Sequence, residues 1–150
     1  MKKGILALLV VAACWGPTLQ ANDWKNAPIS EVQKAAEQGD ADAQQILVSM
    51  YSLGKGVPQD YAEAVNLYRL AAEQGDADAQ LSLGYMYDKG QGVVQDYVKA
   101  HSWFNLGAVN GNTNAVKNRD IVARRMTPQQ IADAQKLARD CQARQFKGCD

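Results

Sequence analysis

The ten residues Ala35–Gln44, A-A-E-Q-G-D-A-D-A-Q, return letter for letter as Ala71–Gln80, 36 residues further along the chain. Self-similarity at a period between 20 and 50 residues is typical of solenoids, in which each repeated unit buries its apolar face only against its neighbours. The copied block therefore predicts a stack of similar units, and the rest of the chain can be divided by the same step.

The matches continue beyond the copied block and include the glycines of a Gly-x-Gly segment. The first occurrence carries Leu47, Met50, Tyr51, Gly54, Gly56, Val57, Gln59, Asp60, Tyr61 and Ala64, and the second carries Leu83, Met86, Tyr87, Gly90, Gly92, Val93, Gln95, Asp96, Tyr97 and Ala100. A weaker third copy follows at the same step, with Ala108, Gly111 and Ala115 at the positions of Ala72, Gly75 and Ala79.

Each unit has the pattern of two helices separated by turns. Gly39 is suited to a left-handed helix end, and Asp40 and Asp42 follow as acids suited to the start of the next helix. The turn Gly54–Pro58 contains two glycines and a proline, which do not belong inside a helix. Helix starts are predicted at Asp60 and Ser30, with Glu63 and Gln33 as their capping-box partners. Helix–turn–helix units stacked in order predict an all-α fold, a right-handed α-solenoid.

The second unit carries the most specific pattern, L-G-x-x-Y-x-x-G-x-G-V-x-x-D-x-x-x-A-x-x-W-F-x-x-G-A from Leu83 to Ala108. This pattern resembles the Sel-one-like repeat, a relative of the tetratricopeptide repeat. The resemblance implies full repeats at about 43–78 and 79–114 within an array spanning 22–125. The first unit departs from the pattern at Val48, where Gly is preferred, and at Leu67, where Trp is preferred, so we expect looser helix crossing there.

The segment that follows the array begins with a strong helix-start signal. Thr127 is suited to the N-cap, Pro128 to the first helical position and Gln130 to the third. The segment also resembles the end of many bacterial proteins of this repeat family. We therefore predict that 126–150 forms a C-terminal capping helix with a tail, because a short solenoid needs its exposed last face covered.

The N-terminus has the features of a secretory signal peptide. A short basic start precedes the apolar run Ile5–Ala13, and small residues follow at Thr18–Ala21. The run is too short to anchor stably in a bilayer, and no later stretch approaches membrane length, so we expect no integral membrane segment in the mature chain. We predict cleavage after Ala21 (signal peptide 1–21) and an exported bacterial protein, periplasmic or secreted. Lipidation at Cys14, within a lipobox-like V-A-A-C, is the alternative.

Removal of the signal peptide takes Cys14 with it and leaves two cysteines, Cys141 and Cys149, in the mature chain. In an oxidising compartment they are expected to form a disulfide. A metal site is the competing hypothesis, but two thiols without a nearby histidine form a poor ligand set. We expect neither a metal nor a cofactor.

Net charge is zero, but the charges are unevenly distributed. Residues 22–116 contain six Lys and Arg against twelve Asp and Glu, whereas residues 117–150 contain eight against four. A basic tail can indicate a nucleic-acid partner. Here the basic residues are mixed with acids and no aromatic residues interleave for base stacking, which favours a solvated helix face and no nucleic-acid binding.

Three features test whether the chain is an enzyme. Ser52–Lys55 spells S-x-x-K, the nucleophile motif of serine β-lactamases, but the accompanying S-D-N and K-T-G elements are missing. His101, the single histidine, has no cysteine near it in sequence, and a structural helical histidine is the better hypothesis. The acids at Asp40, Asp42, Asp76 and Asp78 are spaced as helix-start acids. A periplasmic β-lactamase-like or cell-wall amide hydrolase therefore remains only the alternative to a non-enzymatic protein.

Binding of another protein or peptide is the favoured function, and a small-molecule ligand is not expected. Tetratricopeptide-like geometry would place the first helix of each unit along a concave groove, with Tyr85 as the principal anchor because aromatics dominate interface energies. Simple solvated faces, and inhibition of an envelope enzyme, remain open as alternatives. The predicted groove residues are Asp42, Gln45, Ser49, Ser52, Asp78, Leu81, Tyr85, Asp88 and Lys89.

Overall fold

The computed structural model describes residues 24–149, and over this range the chain forms seven α-helices after one short 3₁₀ turn, with no strand. The predicted signal peptide, the predicted cleavage site and Cys14 lie outside the described residues. After the turn Trp24–Asn26, the helices are α1 (Ile29–Glu37), α2 (Ala41–Leu53), α3 (Tyr61–Ala72), α4 (Ala77–Lys89), α5 (Tyr97–Val109), α6 (Thr113–Ala123) and α7 (Pro128–Ala143).

The copied block forms the corner between one unit and the next. The N–H of Gly39 donates to Ala36 O and the N–H of Asp40 donates to Ala35 O, both at 3.0 Å, which together make the helix-ending Schellman arrangement. The Asp40 carboxylate then accepts from the N–H of Ala43 at 2.8 Å and starts α2. The same backbone bonds and side-chain caps recur at the two later corners, which are formed by Gly75–Asp76 and Gly111–Asn112.

The Gly-x-Gly segment forms the other corner, inside each unit. Gly54 and Gly90 end α2 and α4 in the left-handed conformation, with φ of +67° and +65°. Gln59 and Gln95 close the two corners by donating side-chain hydrogen bonds of 2.7 Å to the carbonyls of the residues two before these glycines. The two corners therefore occupy matching places one step apart, as the repeat predicts.

One predicted helix start is wrong and another is right. Ser30 does not cap α1, because the helix already begins at Ile29 and Pro28 occupies the N-cap without a side-chain hydrogen bond. The Pro28 carbonyl accepts from the N–H groups of Glu31 and Val32, so the chain turns helical before Ser30 is reached. Asp60 caps α3 as predicted, since its carboxylate accepts from the N–H groups at 62 and 63.

Each helix from α1 to α5 packs against the next, which is the arrangement of an α-solenoid. In the second unit, Gly84 lies under the Phe104 ring, so close that a Cβ at position 84 would overlap it. In the first unit Val48 stands in place of this glycine, and α2 and α3 pack less closely than α4 and α5. This difference agrees with the expectation from Val48 and Leu67.

The C-terminal helix α7 begins as predicted. Thr127 Oγ1 accepts from the N–H of Gln130, Gln130 Oε1 accepts from the N–H of Thr127, and Pro128 is the first helical residue. The helix packs chiefly on α5. It thus runs back along the preceding unit, and its end lies close to the corner at Gly75, where Phe146 packs.

The tail after α7 is held by a disulfide and by one contact with the repeats. Cys141 and Cys149 are bonded, with their Cα atoms 5.2 Å apart, and both are buried. The N–H of Gly148 donates to Glu73 Oε1 at 3.2 Å. The predicted disulfide is therefore present, and it joins the end of α7 to a tail that rests on the end of α3.

Candidate partner-binding surface

All nine predicted groove residues lie on the first helices of the two full units, on α2 or α4. Each of these helices has 13 residues and begins at an aspartate cap. The backbone of both helices is therefore fixed by the same corners, which sets the spacing between equivalent side chains. The burial of equivalent side chains on α2 and α4 differs more than their repeat positions indicate.

A cleft of about 290 Å³ opens where α2, α3 and α4 meet. Of the predicted residues, it brings together Gln45 from α2 and Asp78 from α4. Sequence reasoning did not place Tyr68 or Ser82 at this surface, although both line the cleft. The sequence did contain a signal for this cleft. Val48 and Leu67 replace the preferred Gly and Trp, which indicated loose packing where α2 and α3 cross, and both residues line the cleft.

Ser49 is not brought into this cleft. It lines a separate depression, together with Lys25, Ile46 and Lys55. Asp42 is exposed at the start of α2, and the backbone carbonyl of Ser52 is occupied by the Gln59 side chain. The four residues predicted on α2 follow helical spacing, but Gln45 and Ser49 line different depressions.

Tyr85 is the exposed aromatic side chain of α4, with 42% of its surface accessible. Its ring stands edge-on to Phe104, with centroids 5.6 Å apart and an interplanar angle of 86°. Edge-to-face pairs of this kind are favourable, so the ring is held in place on one side while the other side faces solvent. Such a ring is preorganised for contact.

Asp88 is the least exposed of the nine predicted groove residues. The residue is only 7% exposed, and its carboxylate pairs with Arg125 at 3.2 Å and with Lys89 at 2.8 Å. A buried carboxylate must be paired, and through Arg125 this side chain ties α4 to the loop before α7. Leu81 is likewise partly buried against the larger core cluster, whereas Lys89 remains exposed.

The residues considered for catalysis are not assembled into a site. Ser52 is near the end of α2, and Lys55 follows the left-handed Gly54 that terminates the helix. His101 is buried in α5 and its Nδ1 has no hydrogen-bond partner. Burial, followed by the nearby charge of Arg119, lowers the pKa of His101, while Asp120 opposes the shift. Across residues 24–149, no group of three or more His, Cys, Asp or Glu side chains is placed to hold a metal ion.

Comparison with known proteins identifies the repeat. The sequence model of the Sel1 repeat family matches residues 32–40, 42–76 and 77–112, which is more than half of the chain. The chain belongs to the Sel1 repeat family. No curated protein sequence matches it.

Two solved structures show the same architecture. The Sel1 repeat chain is 31% identical to c5321, a protective antigen of uropathogenic Escherichia coli strains with the SLR fold, with a TM-score of 0.74 over 84% of this chain and 30% of that one. It is 38% identical to a Sel1 repeat protein of Oxalobacter formigenes, with a TM-score of 0.55 over 64% of this chain and 38% of that one. This Sel1 repeat chain therefore spans about a third of the length of each.

Membership of the family indicates a general kind of function but no particular partner. Sel1 repeat proteins generally act as non-enzymatic scaffolds that mediate protein–protein interaction. The hydrolase alternative has no support from the family or from the fold neighbours. None of the helices between residues 24 and 149 combines the length and the apolar character needed to cross a membrane.

Proposed function

We propose that this Sel1 repeat protein is an exported, non-enzymatic scaffold that holds a segment of another protein or peptide along the exposed face of α4 and the adjoining part of α2. The family supports scaffolding in general, and the surface of α4 supports this particular face. Two further points, export and the absence of catalysis, have their own support and their own tests.

The observation that carries the proposal is a stripe of accessible side chains on α4. Asp78, Ser82 and Tyr85 stand at i, i+4 and i+7, and therefore share one face of the helix. The first two line the cleft, and the third is the exposed ring held by Phe104. The stripe thus joins a concave site to an aromatic anchor, the combination found at the centres of protein interfaces.

Export is supported by the disulfide between Cys141 and Cys149. Disulfides persist in oxidising compartments such as the bacterial periplasm and are rare in the cytosol. The leader-like N-terminus supports the same location. Mass spectrometry of the protein purified from an envelope fraction tests it, because a mature chain beginning at Asn22 is expected. A mature chain beginning at a lipid-modified Cys14 would show that the protein is a lipoprotein and is not cleaved after Ala21.

The binding face is tested by capture from an envelope extract with the wild-type protein, Tyr85→Ala and Leu70→Ala. Leu70 is a matched control, since it is 46% exposed on α3, on a different face from the cleft. Removal of a central aromatic anchor commonly costs about 2 kcal/mol or more, so we expect the Kd of Tyr85→Ala for the partner to rise more than tenfold and recovery of the partner to fall. Equal recovery by all three proteins would rule out this face.

The hydrolase alternative is tested with nitrocefin. We expect no turnover above buffer by the wild-type protein, and the same result for Ser52→Ala. Turnover that disappears in Ser52→Ala would contradict the non-enzymatic proposal. If the captured partner is an envelope enzyme, its activity measured with and without the scaffold separates plain scaffolding from inhibition.

A further inference from the structure

The corner between the second and third units is completed by two asparagine side chains. Asn110 Nδ2 donates to Gln80 Oε1 at 2.9 Å, and Asn112 Nδ2 donates to Asp78 Oδ1 at 2.6 Å. Gln80 is fully buried, and its own amide donates to Ala72 O at 3.1 Å. Both ends of this buried side-chain amide are therefore paired within the protein, as buried polar groups require.

The same corner one unit earlier lacks both donors. The positions of Asn110 and Asn112 are taken by Gln74 and Asp76. Gln44, which is only 5% exposed, repeats the bond of Gln80 by donating to Ala36 O at 3.0 Å. However, among the residues described, Gln74 donates no side-chain hydrogen bond and a carboxylate at position 76 can only accept. Gln44 Oε1 thus lacks the donor that Gln80 Oε1 receives.

The 290 Å³ cleft opens at this incomplete corner. Gln44, Asp76 and Asp78 line it, and none of the lining residues is a lysine or an arginine. Asp76 uses a single oxygen, Oδ1, to cap α4 through the N–H groups of Asp78 and Ala79. The cleft is consequently rich in acceptors and negatively charged, and residues 24–116 as a whole carry eleven acidic against six basic side chains.

The opposite wall of the cleft is apolar. Val48, Leu67 and Tyr68 line it, and the first two are buried members of the smaller core cluster. In the second unit the equivalent positions hold Gly84, Trp103 and Phe104, and the Phe104 ring lies directly on Gly84. The first unit thus combines an apolar surface with a Gln44 carbonyl oxygen that receives no donor from Gln74 and with two carboxylates, Asp76 and Asp78.

We propose that this cleft binds a lysine or arginine side chain of the partner. The aliphatic stem lies on Val48, Leu67 and Tyr68, and the cationic head donates to Gln44 Oε1 and to the carboxylates of Asp76 and Asp78. Long basic side chains combine an apolar stem with a charged donor head, and hydrogen bonds from such a head to carboxylates are the stronger kind. The proposal rests on the proposed function and names the chemistry of the partner segment.

The direct test is an NMR titration of the ¹⁵N-labelled protein with Nα-acetyl-lysine amide and, separately, Nα-acetyl-arginine amide. Nα-acetyl-norleucine amide is the neutral control with a similar stem. We expect saturable shifts at Val48, Leu67 and Ser82 with a Kd in the millimolar range for the cationic probes, and at least tenfold weaker binding of norleucine amide. The comparison of lysine with arginine identifies which head group the cleft prefers.

The repeat itself supplies a matched variant. Gln74→Asn combined with Asp76→Asn gives the first corner the two donors of the second, and Asn at 76 can still cap α4, as Asn112 caps α6. We expect this double variant to bind the cationic probes at least tenfold more weakly with no loss of thermal stability. Asp133→Asn, which removes the same single charge from α7, is expected to bind as the wild type does.

Three results would overturn the proposal: equal binding of norleucine amide, shifts that lie away from the cleft, or a Gln74→Asn/Asp76→Asn variant that binds lysine amide as strongly as the wild type. None of these would by itself remove the proposed function, because the Tyr85→Ala capture experiment reports on the α4 face independently of any cation. Conversely, if the three proteins recover the partner equally but lysine amide still binds, the cleft binds a cation and the proposed scaffold face is wrong.

Discussion

Gly92 lies against the peptide backbone of Tyr61, so closely that a Cβ at position 92 would overlap the Tyr61 carbonyl group. Gly92 belongs to the corner that follows α4, and Tyr61 is the first residue of α3 in the preceding unit. The Gly-x-Gly segment is therefore more than a turn, because its second glycine sets how closely two units approach. Gly56, the equivalent glycine of the first unit, would meet only the flexible end of Met50, at 3.4 Å.

Gly92→Ala is expected to destabilise the protein more than Gly56→Ala. Both glycines have positive φ, +70° and +77°, so both variants carry a similar conformational cost of about 1–3 kcal/mol. Only the Gly92 variant adds a clash with backbone, which we expect to cost a further ~1–3 kcal/mol. Urea denaturation of the two variants measures the difference, and equal midpoints would show that the approach to Tyr61 carries no energetic weight.

Gly84→Val is expected to be strongly destabilising because a side chain at position 84 would collide with the Phe104 ring. Overpacking of a core commonly costs about 1–3 kcal/mol. The expected interaction appears in a double-mutant cycle with Phe104→Ala, in which Gly84→Val should cost less once the ring is gone. Additive losses of stability in the cycle would contradict this contact, and Val48→Gly in the first unit provides the comparison at a site without that ring.

Stability is expected to fall in mild acid because of His101. Its pKa in the folded protein is lowered from the ordinary value of 6.5 by burial and by Arg119, so the unfolded chain takes up a proton more readily than the folded one. The free energy of unfolding should therefore be constant above pH 6.5 and decrease as the pH falls from 6.5 through the lower pKa of the folded state. The slope is at most about 1.4 kcal/mol per pH unit.

Urea denaturation at several values between pH 7.5 and pH 5 measures this dependence. His101→Gln is the control, since it keeps a polar side chain in α5 and cannot be protonated, and its stability should stay nearly flat over the same interval. An unchanged slope in the variant would assign the acid sensitivity to other groups.

Reduction of Cys141–Cys149 is expected to cost roughly 2–3 kcal/mol on the loop-entropy account. The loss should be accompanied by release of the tail from the corner at Gly75, where Phe146 packs and where Gly148 donates to Glu73. Denaturation with and without reductant measures it. A variant with both cysteines changed to serine should be as stable as the reduced protein, and its stability should not change with reductant. If the stability of the wild-type protein does not change with reductant, the disulfide does not stabilise it.

Much of the architecture could be predicted because the signals are local. The copied block specifies a helix end at Gly39 and a helix start at Asp40 within consecutive residues, and these need only backbone geometry and one side-chain oxygen. The failure at Ser30 has the same local character, since Pro28 two residues earlier is also a good start and begins the helix first. Local competition of this kind shifts a boundary without changing the fold.

The exposure of the candidate surface was harder to predict because it depends on neighbours distant in sequence. Asp88 and Ser52 occupy the same repeat position, yet Asp88 is buried by its pairing with Arg125, which is 37 residues away. The ten residues that end at Gln44 are identical to the ten that end at Gln80. Asn110 donates a hydrogen bond to the side chain of Gln80, whereas Gln74, at the equivalent place, donates none to Gln44. Helical spacing assigns a side chain to a face but does not tell what lies against that face.

By itself, the sequence determined the all-α repeat fold, the 36-residue unit, the two kinds of corner and the pair of cysteines, because each follows from short-range conformational preference and from repetition. Only the tertiary structure decided where α7 lies, which carboxylates are paired, and where a cleft lined by carboxylates and apolar side chains opens. The physical reason is that burial and hydrogen-bond pairing are properties of contacts between units, and small differences such as Val48 for Gly84 act only once the units are stacked.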